Sequence, residues 1–246
     1  MFLQSLTYIL VIVVNLAVGW RLFQQGRRQG KTPELLLGAS LTLDGIEWLF
    51  WVLAMQSPAA GTPLADVFGI ACRVGVAGHN ICLLAFTRLV FRPQSRAALA
   101  GVLLVSTVLV ASLLVGIGLG DRLGYRSDRV WIWLEVGAQQ VAYAWTCAES
   151  MLHYTRTRRR VQLGLCDPVV ANRFLLWGVY GGATLLCALA YLTSIGVATH
   201  AGEYPFFLDV LMIVPTVFAA LALWLAFFPS RAYRSWLTAG TGDASL

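Results

Sequence analysis

The sequence predicts an all-α membrane protein, a bundle of seven transmembrane helices with its N-terminus outside and its C-terminus in the cytoplasm. Three observations predict it. Apolar residues come in blocks of roughly 20, the length of helix that crosses a hydrocarbon core about 30 Å thick. Of the 246 residues, 58% are hydrophobic and only 12% are charged, whereas a soluble domain has about a quarter charged. The basic residues gather in alternate connections between the blocks, as the positive-inside rule requires. The net charge of +6 is therefore a topology signal, and it does not point to nucleic acid.

The first span runs from Leu3 to Phe23. Met1 to Ser5 carries no positive charge, and Arg21, Arg27, Arg28 and Lys31 follow the apolar stretch. That is the reverse of a secretory leader, so an uncleaved span with its N-terminus outside is expected. The second and third spans are Leu35 to Met55 and Leu64 to Val90. The fourth, Ala97 to Leu119, holds nothing more polar than Ser106, Thr107 and Ser112, as a linker helix facing lipid would. The fifth is Val130 to His153. Asp167 and Pro168 open the sixth, Val169 to Val197, with a side-chain acceptor at the N-cap and a ring where no amide donor is needed. The seventh, Pro205 to Phe228, stops at Pro229 and Ser230. Beyond it Arg231 to Leu237 alternates basic residues with Tyr233 and Trp236, as an interfacial helix does. Residues 1–229 thus form the helical domain, and 230–246 an interfacial helix with a short, frayed tail.

This layout puts fourteen Lys and Arg residues inside and three, Arg122, Arg126 and Arg129, outside. It predicts a multi-pass protein of a cell membrane, of the bacterial inner-membrane type. Cys72, Cys82, Cys147 and Cys187 fall within spans and Cys166 in an inner connection, so no disulfide is expected. Spans one to three and five to seven follow the same course, with basic loops and Phe-Pro-type endings at matching places. A 3+1+3 parallel repeat is one reading of that echo.

Ionisable residues inside apolar spans carry the functional signal, because each costs several kcal/mol unless it meets a partner or water. Asp44 and Glu47 lie three apart, on one face of the second span and near the bilayer midplane. The third span brings Arg73, His79 and Asn80 to similar depth, which predicts pairing of Glu47 with Arg73 and of Asp44 with His79. On the fifth span Glu135, Gln139, Ala142, Thr146, Glu149 and His153 recur at steps of four and three, one continuous helix face. Gln140, Tyr143 and Trp145 lie beside it. Asp209, with Pro215 one to two turns deeper, is placed to form a gate in the seventh span. The candidate site is therefore Asp44, Glu47, Arg73, His79, Asn80, Glu135, Gln139, Tyr143 and Asp209.

Each feature has a plainer reading. The polar pairs also serve to lock helices in register. Trp48, Trp51, Trp131 and Trp133 are placed either to stack on a ligand or to sit at the membrane interfaces that tryptophan favours. Gly75, Gly78, Gly116, Gly120, Gly181 and Gly182 read as close helix packing. His79, His153 and His200 fall at three depths, and Glu149 with His153 offers only two ligands, so no metal site is expected. There is no phosphate-binding glycine loop and no Gly-x-Ser-x-Gly elbow. An intramembrane enzyme using Asp44, Glu47 or His79 is accordingly the least favoured reading.

Seven spans with the N-terminus outside resemble, in topology, the rhodopsins and G-protein-coupled receptors. A retinal pigment needs a lysine in the seventh span, and Lys31, the one lysine present, lies in the first inner connection. No retinal Schiff base, and no other cofactor, is expected. The favoured reading is a receptor or sensor that binds a small molecule or proton among spans two, three, five and seven. A basic loop from Tyr154 to Arg173, with Arg158, Arg159 and Arg160, would present the result to a cytoplasmic protein partner, or simply contact anionic lipid. The rival is a small-solute or proton-coupled carrier.

Overall fold

A computed structural model describes residues 2–56, 62–120, 130–201 and 206–239, with the side chains of 2–4, 56, 191, 194–201 and 206–209 also outside the described set. The described residues form eight helices: α1 (Phe2–Gln29), α2 (Thr32–Gln56), α3 (Pro63–Phe91), α4 (Arg96–Gly118), α5 (Val130–Gln162), α6 (Pro168–Ala201), α7 (Phe206–Phe227) and α8 (Arg231–Ala239). Each expected span falls on a helix, with boundaries close to those read from hydropathy except at the end of the fifth, where α5 runs past His153 to Gln162. The expected outer arginines Arg122, Arg126 and Arg129 and the tail from 240 lie outside the described residues.

Six of these helices, α1 to α4, α6 and α7, are long and apolar enough to cross a membrane. This is the composition of a multi-pass membrane protein. The fifth helix does not reach that apolarity, because Glu135, Gln139, Gln140 and Glu149 interrupt its apolar course and arginines crowd its end. It nonetheless packs inside the bundle, against α3, α4 and α6. Neighbours follow chain order from α1 to α7, and α7 closes back on α1. The trios α1–α2–α3 and α5–α6–α7 are each closely packed, and α4 joins them through thinner contacts. On α4 Val102, Leu109, Ser112, Leu113 and Gly116 turn inward, while Leu103, Leu104 and Leu114 are exposed.

Local chemistry ends the helices where the residues demand. Gly30 and Gly164 hold φ of 65° and 68°, the left-handed conformation that costs glycine nothing. At each, the amide of the next residue reaches back five positions, Lys31 to Gly26 O at 3.0 Å and Leu165 to Arg160 O at 2.9 Å, closing Schellman caps. Three caps open helices: Ser95 Oγ accepts from Ala98 N at 3.1 Å, Asp167 Oδ1 from Val169 N at 2.8 Å, and Ser230 Oγ from Tyr233 N at 3.1 Å. The segment expected as a loop from Tyr154 to Arg173 is corrected by this geometry. Nothing between Tyr154 and Gln162 breaks a helix, so α5 continues to the Gly164 cap and Arg158, Arg159 and Arg160 lie on it.

The helix ends that carry most arginines converge. Arg21 stacks over the Phe228 ring at 4.5 Å, Arg92 Nε reaches Glu149 Oε1 at 2.7 Å, and Asn172 Nδ2 donates to Tyr233 Oη at 2.9 Å. One end of the bundle is therefore strongly basic. Tight backbone approach supports the first trio: a methyl on Gly19 would stand 2.7 Å from Thr42 N and 3.0 Å from Gly38 O. Gly120, read as a packing residue, instead takes φ 77° at the end of α4, with no atom of the described residues within 4 Å of its Cβ position. The five cysteines are free thiols.

Candidate functional site

Polar side chains concentrate where α3 faces α5. The two helices run in the same direction, so their contacts ascend together as four rungs. Arg73 Nη2 donates to Glu135 Oε2 at 2.5 Å; His79 Nε2 and Tyr143 Oη share a hydrogen bond of 2.6 Å; Thr87 and Thr146 share one of 2.8 Å; Arg92 meets Glu149. At about 1.5 Å of rise per residue, the rungs extend over more than 20 Å of the bundle. The stripe read from the spacing on α5 is thus one face, turned toward α3. Glu135, Ala142, Thr146 and Glu149 are buried on it, and Gln139 and His153 are half-buried.

The first rung depends on a glycine of α4. A Cβ at Gly116 would fall 2.6 Å from both Arg73 Nη atoms, so the guanidinium occupies the volume a side chain would need. Arg73 is 4% exposed, and an unpaired charge at that burial is costly. Its ion pair is with Glu135, and the expected pair with Glu47 does not form. Depth alone made both acids eligible; the position of α5 around the bundle decides between them.

Beside the second rung lies the acidic cluster. Asp44, 5% exposed, accepts from Asn15 Nδ2 at 2.5 Å. His79, 1% exposed, has Ser40 Oγ 3.3 Å from Nδ1, and that hydroxyl donates to the His79 carbonyl at 3.1 Å. The expected direct pair of Asp44 with His79 is therefore replaced by separate partners. Yet one oxygen of Asp44, one of Glu47 and one ring nitrogen of His79 all lie within 4.8 Å of one another. Glu47 Oε2 is buried with no hydrogen-bond partner among the described residues, and neither acid has an ion pair there.

Asn80 is buried next to His79; its Nδ2 donates to Val76 O at 2.9 Å and its Oδ1 has no hydrogen-bond partner among the described residues. Tyr180 of α6 backs Tyr143, with ring centroids 6.5 Å apart. Asp209 lies on the backbone of α7, and its side chain is outside the described residues. Pro215 removes an amide from mid-helix α7. One residue beyond the carbonyl that loses its partner, Met212 O accepts from Thr216 Oγ1 at 2.7 Å and Cys187 Sγ at 3.3 Å. Trp48 and Trp51 form an aromatic group with Tyr8, at 5.5 and 5.1 Å, while Trp133 is exposed on the outer surface.

No protein-family model, curated protein or solved structure matches the chain. Functional inference therefore rests on the site itself. Sequence reasoning missed Asn15, Ser40, Thr87 and Arg92. Asn15 had a signal, since it is the one carboxamide in the apolar stretch from Leu6 to Val18. The hydroxyls had none: a serine or threonine satisfies itself on its own helix, as Thr87 does at Leu83 O, 2.8 Å away.

Proposed function

We propose that the chain is a receptor- or sensor-like membrane protein with seven spans, N-terminus outside and C-terminus cytoplasmic, whose interior acids take up a small molecule or a proton. The carrying observation is a charge imbalance. Arg73 pairs with Glu135, and Arg92 with Glu149, which leaves Asp44 and Glu47 side by side without an ion pair among the described residues. Two adjacent carboxylates in a low-dielectric interior are strongly unfavourable, so the pair calls for something that supplies positive charge.

Packing of α5 within the bundle supports counting it as a seventh span. Polar residues on a crossing helix are tolerable when they face other helices, as Glu135 and Thr146 do. The basic end, with Arg27, Arg28, Lys31 and Arg158 to Arg160, supports a cytoplasmic assignment for that end. The α3–α5 ladder joins the acidic cluster to this end, and the α5 extension would present Arg158, Arg159 and Arg160 to a cytoplasmic partner. Ligand occupancy at His79 could bias that extension through the α3–α5 contacts that lie between them, Thr87 with Thr146 and Arg92 with Glu149.

A second reading, a small-solute or proton-coupled carrier built as a 3+1+3 repeat, is favoured by the two closely packed trios bridged by α4. Vesicles reconstituted with the protein separate the two. Under an imposed proton gradient with a pH-sensitive dye inside, a receptor yields no flux above empty vesicles. Flux that vanishes in Glu47→Gln and Asp44→Asn overturns the receptor reading and selects the carrier.

A further inference from the structure

The acidic cluster carries more than a charge imbalance, because it brings together donors suited to a metal. We infer that Asp44, Glu47 and His79 bind one divalent transition-metal cation of the zinc or manganese class, with Asn15 placed to add an oxygen ligand. The inference rests on the reading that this interior site takes a ligand, and it names the ligand's class. Two carboxylate oxygens and one imidazole nitrogen are donors that such ions share, and harder ions such as magnesium prefer oxygen alone.

Charge agrees with the donor set. Asp44 and Glu47 have no ion pair among the described residues, and a divalent ion with two carboxylates and a neutral imidazole makes a site of zero net charge. Unpartnered donors agree as well. Asn15 is 4% exposed and already donates to Asp44, yet its Oδ1 is buried with no hydrogen-bond partner among the described residues, as is Glu47 Oε2. Each is a polar atom that a ligand at the cluster would satisfy.

The surroundings of His79 supply what a ligating imidazole needs. Whichever ring nitrogen turns to the ion, the other is already held, Nε2 by Tyr143 or Nδ1 by Ser40. Such an outer hydrogen bond fixes the tautomer and ring orientation. Close backbone approach brings ligands of two helices to one centre: a methyl on Gly75, one turn before His79, would stand 2.9 Å from Glu47 Cβ. Zinc ligands at about 2.0–2.2 Å lie about 3.3 Å apart around a tetrahedral ion. The present separations, all within 4.8 Å, are of the order that a bound ion would draw together. Because the two acids lie on α2 and the histidine on α3, the three make no local motif, and spacing along the chain did not reveal the set.

The test uses the full chain, purified in detergent and stripped with a chelator, titrated calorimetrically with Zn2+ and separately with Mn2+. One equivalent should bind. Glu47→Gln and His79→Asn, each checked for a monodisperse elution and an unchanged helical spectrum, should weaken binding at least about 100-fold, and His153→Ala should leave it unchanged. Asn15→Ala, which keeps all three principal ligands, should weaken it less. Absence of saturable binding of either ion by the folded chain, or equal binding by Glu47→Gln and His79→Asn, overturns the metal site and leaves the receptor reading to its own test. Glu47-dependent Zn2+ uptake into vesicles does the opposite, keeping the metal site and overturning the receptor reading.

Discussion

Arg73 illustrates how one buried charge sets the requirements for its neighbours. Its guanidinium is paired with Glu135 and seated in the space left by Gly116. Removing one partner of a buried pair leaves the other charge uncompensated, at about 3–5 kcal/mol, whereas replacing both is often nearly neutral. Glu135→Leu should therefore lower the melting temperature in detergent sharply, and Arg73→Leu with Glu135→Leu should recover most of the loss. A double-mutant protein no more stable than Glu135→Leu alone would refute that assignment. Gly116→Val should also destabilise, through displacement of the guanidinium. Because the two residues share one volume, its cost should shrink in an Arg73→Ala background, and a cost unchanged there would contradict the packing account.

At the scale of elements, α5 is the decisive helix. Its spacing of polar residues predicts a single face, and that face meets α3 in four rungs. The rungs differ in worth. Arg92 is 49% exposed at its side chain, so its pair with Glu149 is screened and contributes little. Thr87 and Thr146 are fully buried, and hydrogen bonds of this kind between membrane helices average about 0.6 kcal/mol. A double-mutant cycle of Thr87→Val and Thr146→Val should give a coupling near that size; zero coupling would mean that each hydroxyl is satisfied by its own helix alone. Which residues of α5 point inward was legible from periodicity. Which acid Arg73 selects was not, since Glu47 and Glu135 lie at comparable depth and only the rotation of three helices about their axes distinguishes them.

For the whole molecule, the arrangement of charge makes the sharpest prediction. Cys166 lies between α5 and α6 at the basic end, partly exposed, whereas the other four cysteines lie on helices within the bundle. With the proposed orientation, a membrane-impermeant maleimide should label Cys166 in inside-out vesicles and leave it unlabelled in right-side-out ones. Labelling in the right-side-out vesicles alone would reverse the orientation. The six apolar helices follow from composition, but the closure of α7 on α1 and the crossing contact of α3 with α5 join segments far apart in the chain. Hydropathy is a property of single segments and is blind to both.

The residues alone determine where helices begin and end, because caps, glycines and prolines act within a few positions: Asp167, Pro168 and Gly164 behave as their chemistry requires. They also determine which residues are inward-facing, since burying charge away from lipid is a strong local constraint. Tertiary structure decides the partners. Asn15 on Asp44, Tyr143 on His79 and Glu135 on Arg73 are contacts between helices whose relative rotation and approach depend on packing at every other position. A hydrogen bond acts over about 3 Å, and a rotation of one residue step about a helix axis moves a side chain much farther than that. Composition therefore reports which chemistry lies inside the bundle, and only the assembled bundle reports which groups can act together.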